Sequence, residues 1–232
     1  MGKNIPSQRR GKGSVAYRVP SHRSLGDATL FPLAQAGKAT ITDIVHSPFH
    51  SAPIAKLTFE DSKKYLVPAA EGSHVGQVLS DEPENGNVLR IENIPEGSMI
   101  FNIELSPGDG GKLVRSGGTY ARLVSKEAGK AVLRLPSGQF KTIPITCRAI
   151  IGVAAGGGKQ EKPWVKAGKK FHAMRVKNRL WPRVKGNVKN PVDHPFGGGK
   201  KGKVGRPITV SRNAPSGAKV GYIAARRTGR RR

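Results

Sequence analysis

Apolar and β-branched runs of five to eight residues, separated by turn-forming clusters, fill the middle of the chain. The first series is Ala39–His46, Ala52–Phe59, Lys64–Pro68, Val75–Leu79 and Met99–Glu104. A second follows at Tyr120–Ser125, Lys130–Leu135, Phe140–Ile145 and Arg148–Val153. Between them lie Glu60-Asp61-Ser62, Glu82–Gly86, Ser106–Gly111 and Pro136-Ser137-Gly138, all rich in residues that reverse an extended backbone. No stripe of helical period lasts beyond about two turns. Residues 37–158 are therefore predicted to be all-β, and many short strands at this spacing favour small barrels. The Pro107–Gly111 cluster is the best internal boundary.

The two ends follow different rules. From 159 to 232, Leu, Ile, Val and Phe number 13 of 74 residues, and ten Gly and six Pro are scattered without period. Such a segment lacks the apolar content for a core of its own. Charge sharpens the contrast. The 232 residues carry 41 Lys and Arg against 15 Asp and Glu, a net charge of +26. Residues 1–36 hold +5, 37–110 hold −6, 111–158 hold +7 and 159–232 hold +20. So much positive charge needs a polyanion, and nucleic acid is the usual one. The acidic block should face away from it or meet another protein. No apolar run approaches the ~20 residues of a membrane span, and a basic, Gly-containing start argues against a secretory signal. The single cysteine, Cys147, excludes an internal disulfide and fits a reducing compartment as a buried thiol.

Few motifs suggest chemistry. Gly156-Gly157-Gly158-Lys159 looks like a phosphate loop, but Gly152 is one residue too far from Gly158 and Gln160 replaces the hydroxyl residue. A glycine hinge offering backbone amides to phosphate is the better reading. His46 and His50 have metal-binding helical spacing, but Pro48 breaks that helix, so no metal site is expected. Asn190–Lys201 is the most specified part of the tail. Pro191 and Pro195 fix φ around Val192–His194, and Gly197, Gly198 and Gly199 permit an approach that excludes a Cβ. Asp193 beside His194 invites a general-base reading, yet no Ser, Cys or second carboxylate completes a nucleophilic set. A rigid RNA-inserted finger is the reading adopted. Trp164, Phe171, Trp181, Phe196 and Tyr222 lie among the basic residues, as suits stacking on unpaired bases; Trp164 and Trp181 could instead pack on the second barrel.

The candidate RNA-binding residues follow. In the N-terminal stretch they are Arg9, Arg10, Lys12, His22 and Arg23. After the strands come Lys159, Lys162, Trp164, Lys166, Lys169, Lys170 and His172. Arg179, Trp181, Arg183, Lys185 and Asn190 lead into the finger, with His194, Gly197, Gly198, Gly199 and Lys200. Arg206, Arg212, Arg226, Arg227 and Arg230 complete the set. No catalytic or metal-binding residue and no cofactor are expected. An RNA-acting enzyme using His194 and a free RNA-binding regulator are the rival classes.

Gln8–Ser14, Ser21–Arg23, Ser51–Ala55, Val67–Gly72, Gly86–Leu89, Ile94–Gly97, Pro107–Lys112 and Leu135–Gly138 form a recognisable series. It continues through Ala155–Lys159, Lys162-Pro163, Lys166–Gly168, Trp181–Val184, Asn190–Gly199 and Ala225–Arg230. In this order the chain resembles the universal large-ribosomal-subunit protein family conventionally numbered two, in its archaeal and eukaryotic-type branch. The resemblance implies a structural, primary rRNA-binding constituent of the cytoplasmic ribosome. It implies support of the peptidyl transferase region and a part in subunit association. The implied partners are large-subunit rRNA, neighbouring ribosomal proteins and the small subunit, with no membrane. The implied layout is an extended basic arm over 1–36, an oligonucleotide-binding-type β-barrel over 37–110, an SH3-like β-barrel over 111–170 and an extended rRNA-binding tail over 171–232. Phe196 stands where the bacterial branch has a second histidine, and Gly186-Asn187-Val188-Lys189 replaces the commoner Gly-Val-Ala-Met.

Overall fold

The structure, a computed structural model, describes residues 2–35, 37–199 and 202–228. It divides into two compact units, one of residues 21–165 and one formed by residues 1–20 together with 166–232.

The first unit is built on strands. β1 (Ala39–Val45), β2 (Ile54–Phe59), β3 (Lys64–Pro68) and β4 (Val78–Leu79) form an antiparallel sheet in the order β3-β2-β1-β4. β5 (Val88–Arg90), β6 (Met99–Phe101), β7 (Ala121–Glu127), β8 (Lys130–Arg134), β9 (Phe140–Pro144) and β10 (Arg148–Ile151) form a second, in the order β5-β10-β6-β7-β8-β9. The all-β body predicted from the alternation is present. The β7–β8 connection is a two-residue turn, Ala128-Gly129, in which both residues have positive φ (47° and 75°). That geometry follows the right-handed twist of the paired strands. The runs at 39–46, 64–68, 130–135 and 140–145 match observed strands to within a residue. β5 was not anticipated, because three residues give no readable alternation.

Strands from both sides of the Pro107–Gly111 turn share the second sheet: β10 pairs with β5 and β6. The reason lies in side-chain alternation. Successive residues of a strand point to opposite faces. Phe101 and Ile150 join the core with Leu57, Phe59 and Val67, whereas Ile100, Ala149 and Ile151 join the core with Ile91, Leu123 and Leu133. All four residues of β10 are buried, so β6 and β10 serve two cores at once. Full burial of each large side chain contributes about 1.5–3 kcal/mol.

Between these strands lies a buried ion pair. Arg148 Nη2 donates to Glu104 Oε1 at 2.8 Å, and the Arg148 backbone N–H donates to Glu104 Oε2 at 2.9 Å. The Glu104 N–H returns a bond to the Arg148 carbonyl at 3.0 Å. The Arg148 guanidinium also lies 5.4 Å from the Phe31 ring centre.

The second unit contains α1 (Pro6–Gly11), α3 (Ala167–Val176) and a parallel pair, β11 (Thr209–Val210) with β12 (Tyr222–Ile223). The four-residue helix α2 (Gly158–Glu161) precedes α3 and belongs to the first unit. Ile5 and Val220 are the buried hydrophobic residues of the second unit among the described residues. α3 buries none, which explains why its sequence shows no helical stripe.

Two outcomes are expected. Glu104→Ala should cost about 3–5 kcal/mol in urea unfolding, because it strands a buried guanidinium; Glu104→Leu with Arg148→Leu should cost less than that single change. A loss under about 1 kcal/mol for Glu104→Ala would contradict this account. In the free protein, amide exchange should be faster over 175–228 than in β2, β6, β8 and β10, because the terminal unit is only marginally ordered. Ordering costs about 1–2 kcal/mol per residue, and a unit with two buried apolar side chains offsets little of it. Uniformly slow exchange over 175–228 would be the opposite result.

Candidate nucleic-acid interface

Folding separates the charge more sharply than the sequence blocks do. The terminal unit, residues 1–20 and 166–232, has 25 Lys and Arg and one acid, Asp193; the β unit has 16 and 14. Among the described residues the ion pairs Lys56–Asp43, Lys63–Asp61, Arg90–Glu92 and Arg148–Glu104 are all in the β unit. The acids are not uniformly at the surface either. Glu104 is fully buried, whereas Glu71, Asp81, Glu82, Glu84 and Glu92 are exposed.

The candidate residues fall in both units. His22, Arg23, Lys159, Lys162 and Trp164 belong to the β unit. Trp164 is 44% exposed. Lys159 lies in α2, and Gly156 and Gly157 before it are packing residues. A Cβ on Gly118 would lie 2.4 Å from the Gly157 Cα, and one on Gly156 would lie 3.2 Å from Pro53. The run expected to act as a hinge offering amides to phosphate thus makes close packing contacts within the chain.

In the terminal unit, Arg9 and Arg10 lie on α1 and Lys12 caps it. Lys166 caps the start of α3, followed by Lys169, Lys170 and His172, with no acid in the first turn. Cations at a helix N-terminus oppose the helix dipole, so α3 has both an unfavourable charge pattern and no buried face. The Lys170 ammonium lies 5.7 Å from the Trp181 ring centre, and Phe171 meets His172 edge-on. Arg179, Arg183, Lys185, Arg206, Arg212, Arg226 and Arg227 are all exposed. Lys200 and Arg230 lie outside the described residues.

The finger is held by its own backbone. The N–H groups of Asp193 and His194 donate to the Asn190 carbonyl, Gly197 donates to His194 and Gly198 donates to Lys189. A Cβ on Gly197 would lie 2.4 Å from the Asn190 carbonyl oxygen, and one on Gly198 would meet Pro191 at 2.8 Å. Gly198 and Gly199 also have φ near +90°. Gly197 and Gly198 therefore close the finger on itself, whereas a Cβ on Gly199 would meet open space and only its φ favours glycine.

His194 Nδ1 accepts the Phe196 backbone N–H at 3.0 Å. The neutral ring consequently carries its proton on Nε2 and offers a donor there. Burial, together with Lys189 and Arg206, holds the imidazole below its ordinary pKa of 6.5. Nδ1, the atom that a catalytic triad would direct to a carboxylate, is occupied by backbone, so this arrangement gives no general base. The ring is also pressed on Gly186, where a Cβ would lie 2.3 Å from His194 Cε1.

Other contacts had no sequence signal. Asn178, in a left-handed conformation (φ 52°), donates to the carbonyls of Ala16 at 2.9 Å and Arg18 at 2.7 Å. Lys3 N–H donates to the Val192 carbonyl at 2.8 Å. Both join the N-terminal segment to the tail, across more than 150 residues of sequence. The β unit has a further basic face. Arg122 is directly opposite Arg134, which is opposite Phe140. All three are exposed, Phe140 by 65%. No ion pair to either arginine is found among the described residues. The block charge of +7 was the only hint of this row.

His46 and His50 are not helical, and His50 Nδ1 is 2.8 Å from Ser47 Oγ. Among the described residues, no group of three or more His, Cys, Asp or Glu is placed to hold a metal ion. Burial and nearby Glu104 and Asp109 push the Cys147 thiol up to about 11. No helix among the described residues is long and apolar enough to cross a membrane.

A small β body joined to a polycationic unit with a single acid defines a class of protein arranged to meet a polyanion. Residues 84–219 match the family model described as Ribosomal Proteins L2, C-terminal domain. The chain is 50% identical to the large ribosomal subunit protein uL2 of Methanocaldococcus jannaschii and to that of Archaeoglobus fulgidus. It is 48% identical to that of Methanococcus vannielii, and each comparison covers 100% of both chains. The chain belongs to the uL2 family of ribosomal proteins, of the archaeal type.

One titration tests the finger. The folded His194 pKa is depressed, so between it and 6.5 the unfolded chain binds more protons, and finger stability should fall as pH drops through that window. In NMR spectra of the protein, the His194 midpoint should lie below 6.5 and the Phe196 amide should shift with it. A midpoint above 6.5 would reverse the sign.

Proposed function

We propose that the chain is a structural, non-enzymatic constituent of the large ribosomal subunit in the cytoplasm, and that its terminal unit holds segments of large-subunit rRNA near the peptidyl transferase region. The observation that carries this reading is the terminal unit's charge, 25 cations against one carboxylate. Phosphate is the counter-charge such a unit needs. It offsets the repulsion among Lys166, Lys169 and Lys170 at the start of α3. Lys and Arg on phosphate release counterions, which makes the affinity steeply salt-dependent. We take the segments 1–36 and 171–232 as the basic rRNA-binding arms and 37–110 and 111–170 as the barrel domains, with neighbouring ribosomal proteins meeting the exposed acids.

The exposed row Arg122–Arg134–Phe140 supports a second contact, with the small subunit. Like charges directly opposed across antiparallel strands are destabilising, and an RNA backbone would relieve that. The test uses large subunits reconstituted with the full chain. Arg122→Glu with Arg134→Glu should leave incorporation intact and lower subunit association about tenfold or more in light scattering. Removal of 171–232 should abolish incorporation. Normal association by the double variant would remove the small-subunit contact from this reading, and incorporation without the tail would remove the rRNA role of that tail.

A further inference from the structure

Two cavities in the terminal unit share one wall. The first, of about 510 Å³, is bounded by Ile5, Val192, Phe196 and Val210 with Lys3 and Arg206 among its lining. The second, of about 620 Å³, is lined by Arg10, Arg183, Lys185, Lys189 and Lys219. Ile5, His194 and Val220 line both. Among the described residues neither is lined by a carboxylate, and both fall within the usual size of a ligand pocket, about 300–1,000 Å³.

Their chemistry is unequal. The first has a mixed lining with an aromatic wall and only two cations, Lys3 and Arg206: the His194 and Phe196 ring centres are 5.3 Å apart, tilted by 60°, and the Arg206 guanidinium lies 6.0 Å from the Phe196 centre. The second gathers five cations. An aromatic wall beside Asn4, Gln8 and Ser216 suits a heterocycle, whose flat faces pack on rings and whose edges exchange hydrogen bonds. Five cations suit a phosphodiester, and a neutral cargo there would leave them repelling one another. The dividing residue, His194, has its Nδ1 occupied by Phe196 N–H and its Nε2–H available as a donor. It can therefore meet an acceptor at the join between base and backbone.

We infer that this pair of cavities is a bipartite site for one unpaired RNA nucleotide, with the base in the first chamber and its flanking phosphodiester in the second. The inference rests on the rRNA reading above and names what one part of the terminal unit recognises. Both the N-terminal segment and the tail supply walls, so the site is complete only when Lys3 is bonded to Val192 as observed. A free nucleotide has the same base and one phosphate, but it lacks the continuing backbone that five cations address.

The experiment measures binding of the full chain to two single-stranded oligoribonucleotides of equal length, one intact and one with abasic residues, across a salt series. The intact strand should bind about tenfold more tightly, and adenosine monophosphate should not compete at equal concentration. Val210→Trp fills the first chamber. It should bring the intact-to-abasic ratio to about one while leaving the salt slope unchanged. Ser216→Trp does the same from an exposed position on the cavity rim, should Val210→Trp disturb folding. Lys185→Gln with Lys189→Gln should reduce the logarithmic salt slope by about 0.7 per lost contact and keep the ratio. Equal binding of intact and abasic strands by the unaltered chain overturns the bipartite site, and so does a ratio that survives both tryptophan variants. Effective competition by adenosine monophosphate would assign the site to a free nucleotide and also overturn it. In each of these cases steep salt-dependent binding leaves the rRNA reading standing; loss of all binding to RNA would remove both.

Discussion

Arg148 and Glu104 meet inside the β unit with both charges out of water, and the two cores are organised around the strands that hold them. Desolvating each ion costs several kcal/mol, which only near-ideal geometry offsets. Here the carboxylate accepts the Arg148 side chain and its backbone N–H, and a further N–H from Gly110 approaches at 3.4 Å. The guanidinium also reaches Phe31, which packs edge-on against Phe59 at 4.9 Å. One ion pair therefore connects the segment before β1, the turn at 107–111 and β10. The flanking strands β6 and β10 present opposite faces to different cores, so a break here affects both.

The same economy explains why the β unit is nearly neutral and the terminal unit is not. A buried cation needs its own carboxylate, and exposed carboxylates would oppose phosphate within about 8 Å at physiological ionic strength. Acids are accordingly confined to the β unit, apart from Asp193. Among the described residues the terminal unit is held by backbone bonds, the side chains of Asn178 and Asn187, a few cation and ring contacts, two buried apolar side chains and glycine contacts. On the reading proposed above, such a unit depends on an external polyanion for much of its order. Membership in the uL2 family gives that dependence a setting, the large ribosomal subunit, where phosphate is dense.

His194 illustrates how a suggestive residue acquires a role from its neighbours. Gly186 lies too close to the ring to carry a Cβ, the Phe196 amide fixes the tautomer, and Lys189 and Arg206 disfavour its protonation. Each of these constraints is a positioning one. Together they make the imidazole a fixed neutral wall with one outward donor, which suits recognition and not proton transfer.

Alternation of apolar residues determined the all-β body, because burial of one strand face has a period of two whatever the tertiary arrangement. Composition determined that the ends cannot form an ordinary core, and the charge that they need a polyanion. The full-length series of motifs determined the family. Strand partnership was left to the tertiary structure: the change of charge sign at Pro107–Gly111 marks no break in the second sheet, since β10 pairs with β5 and β6 through long-range contacts that leave no local trace. The helix α3 was hidden because none of its faces is buried. The grouping of Arg122, Arg134 and Phe140 depended on register, as did the meeting of Lys3 with Val192 and Asn178 with Ala16. Periodicity reports which side chains are buried; only the closed backbone decides which of them become neighbours.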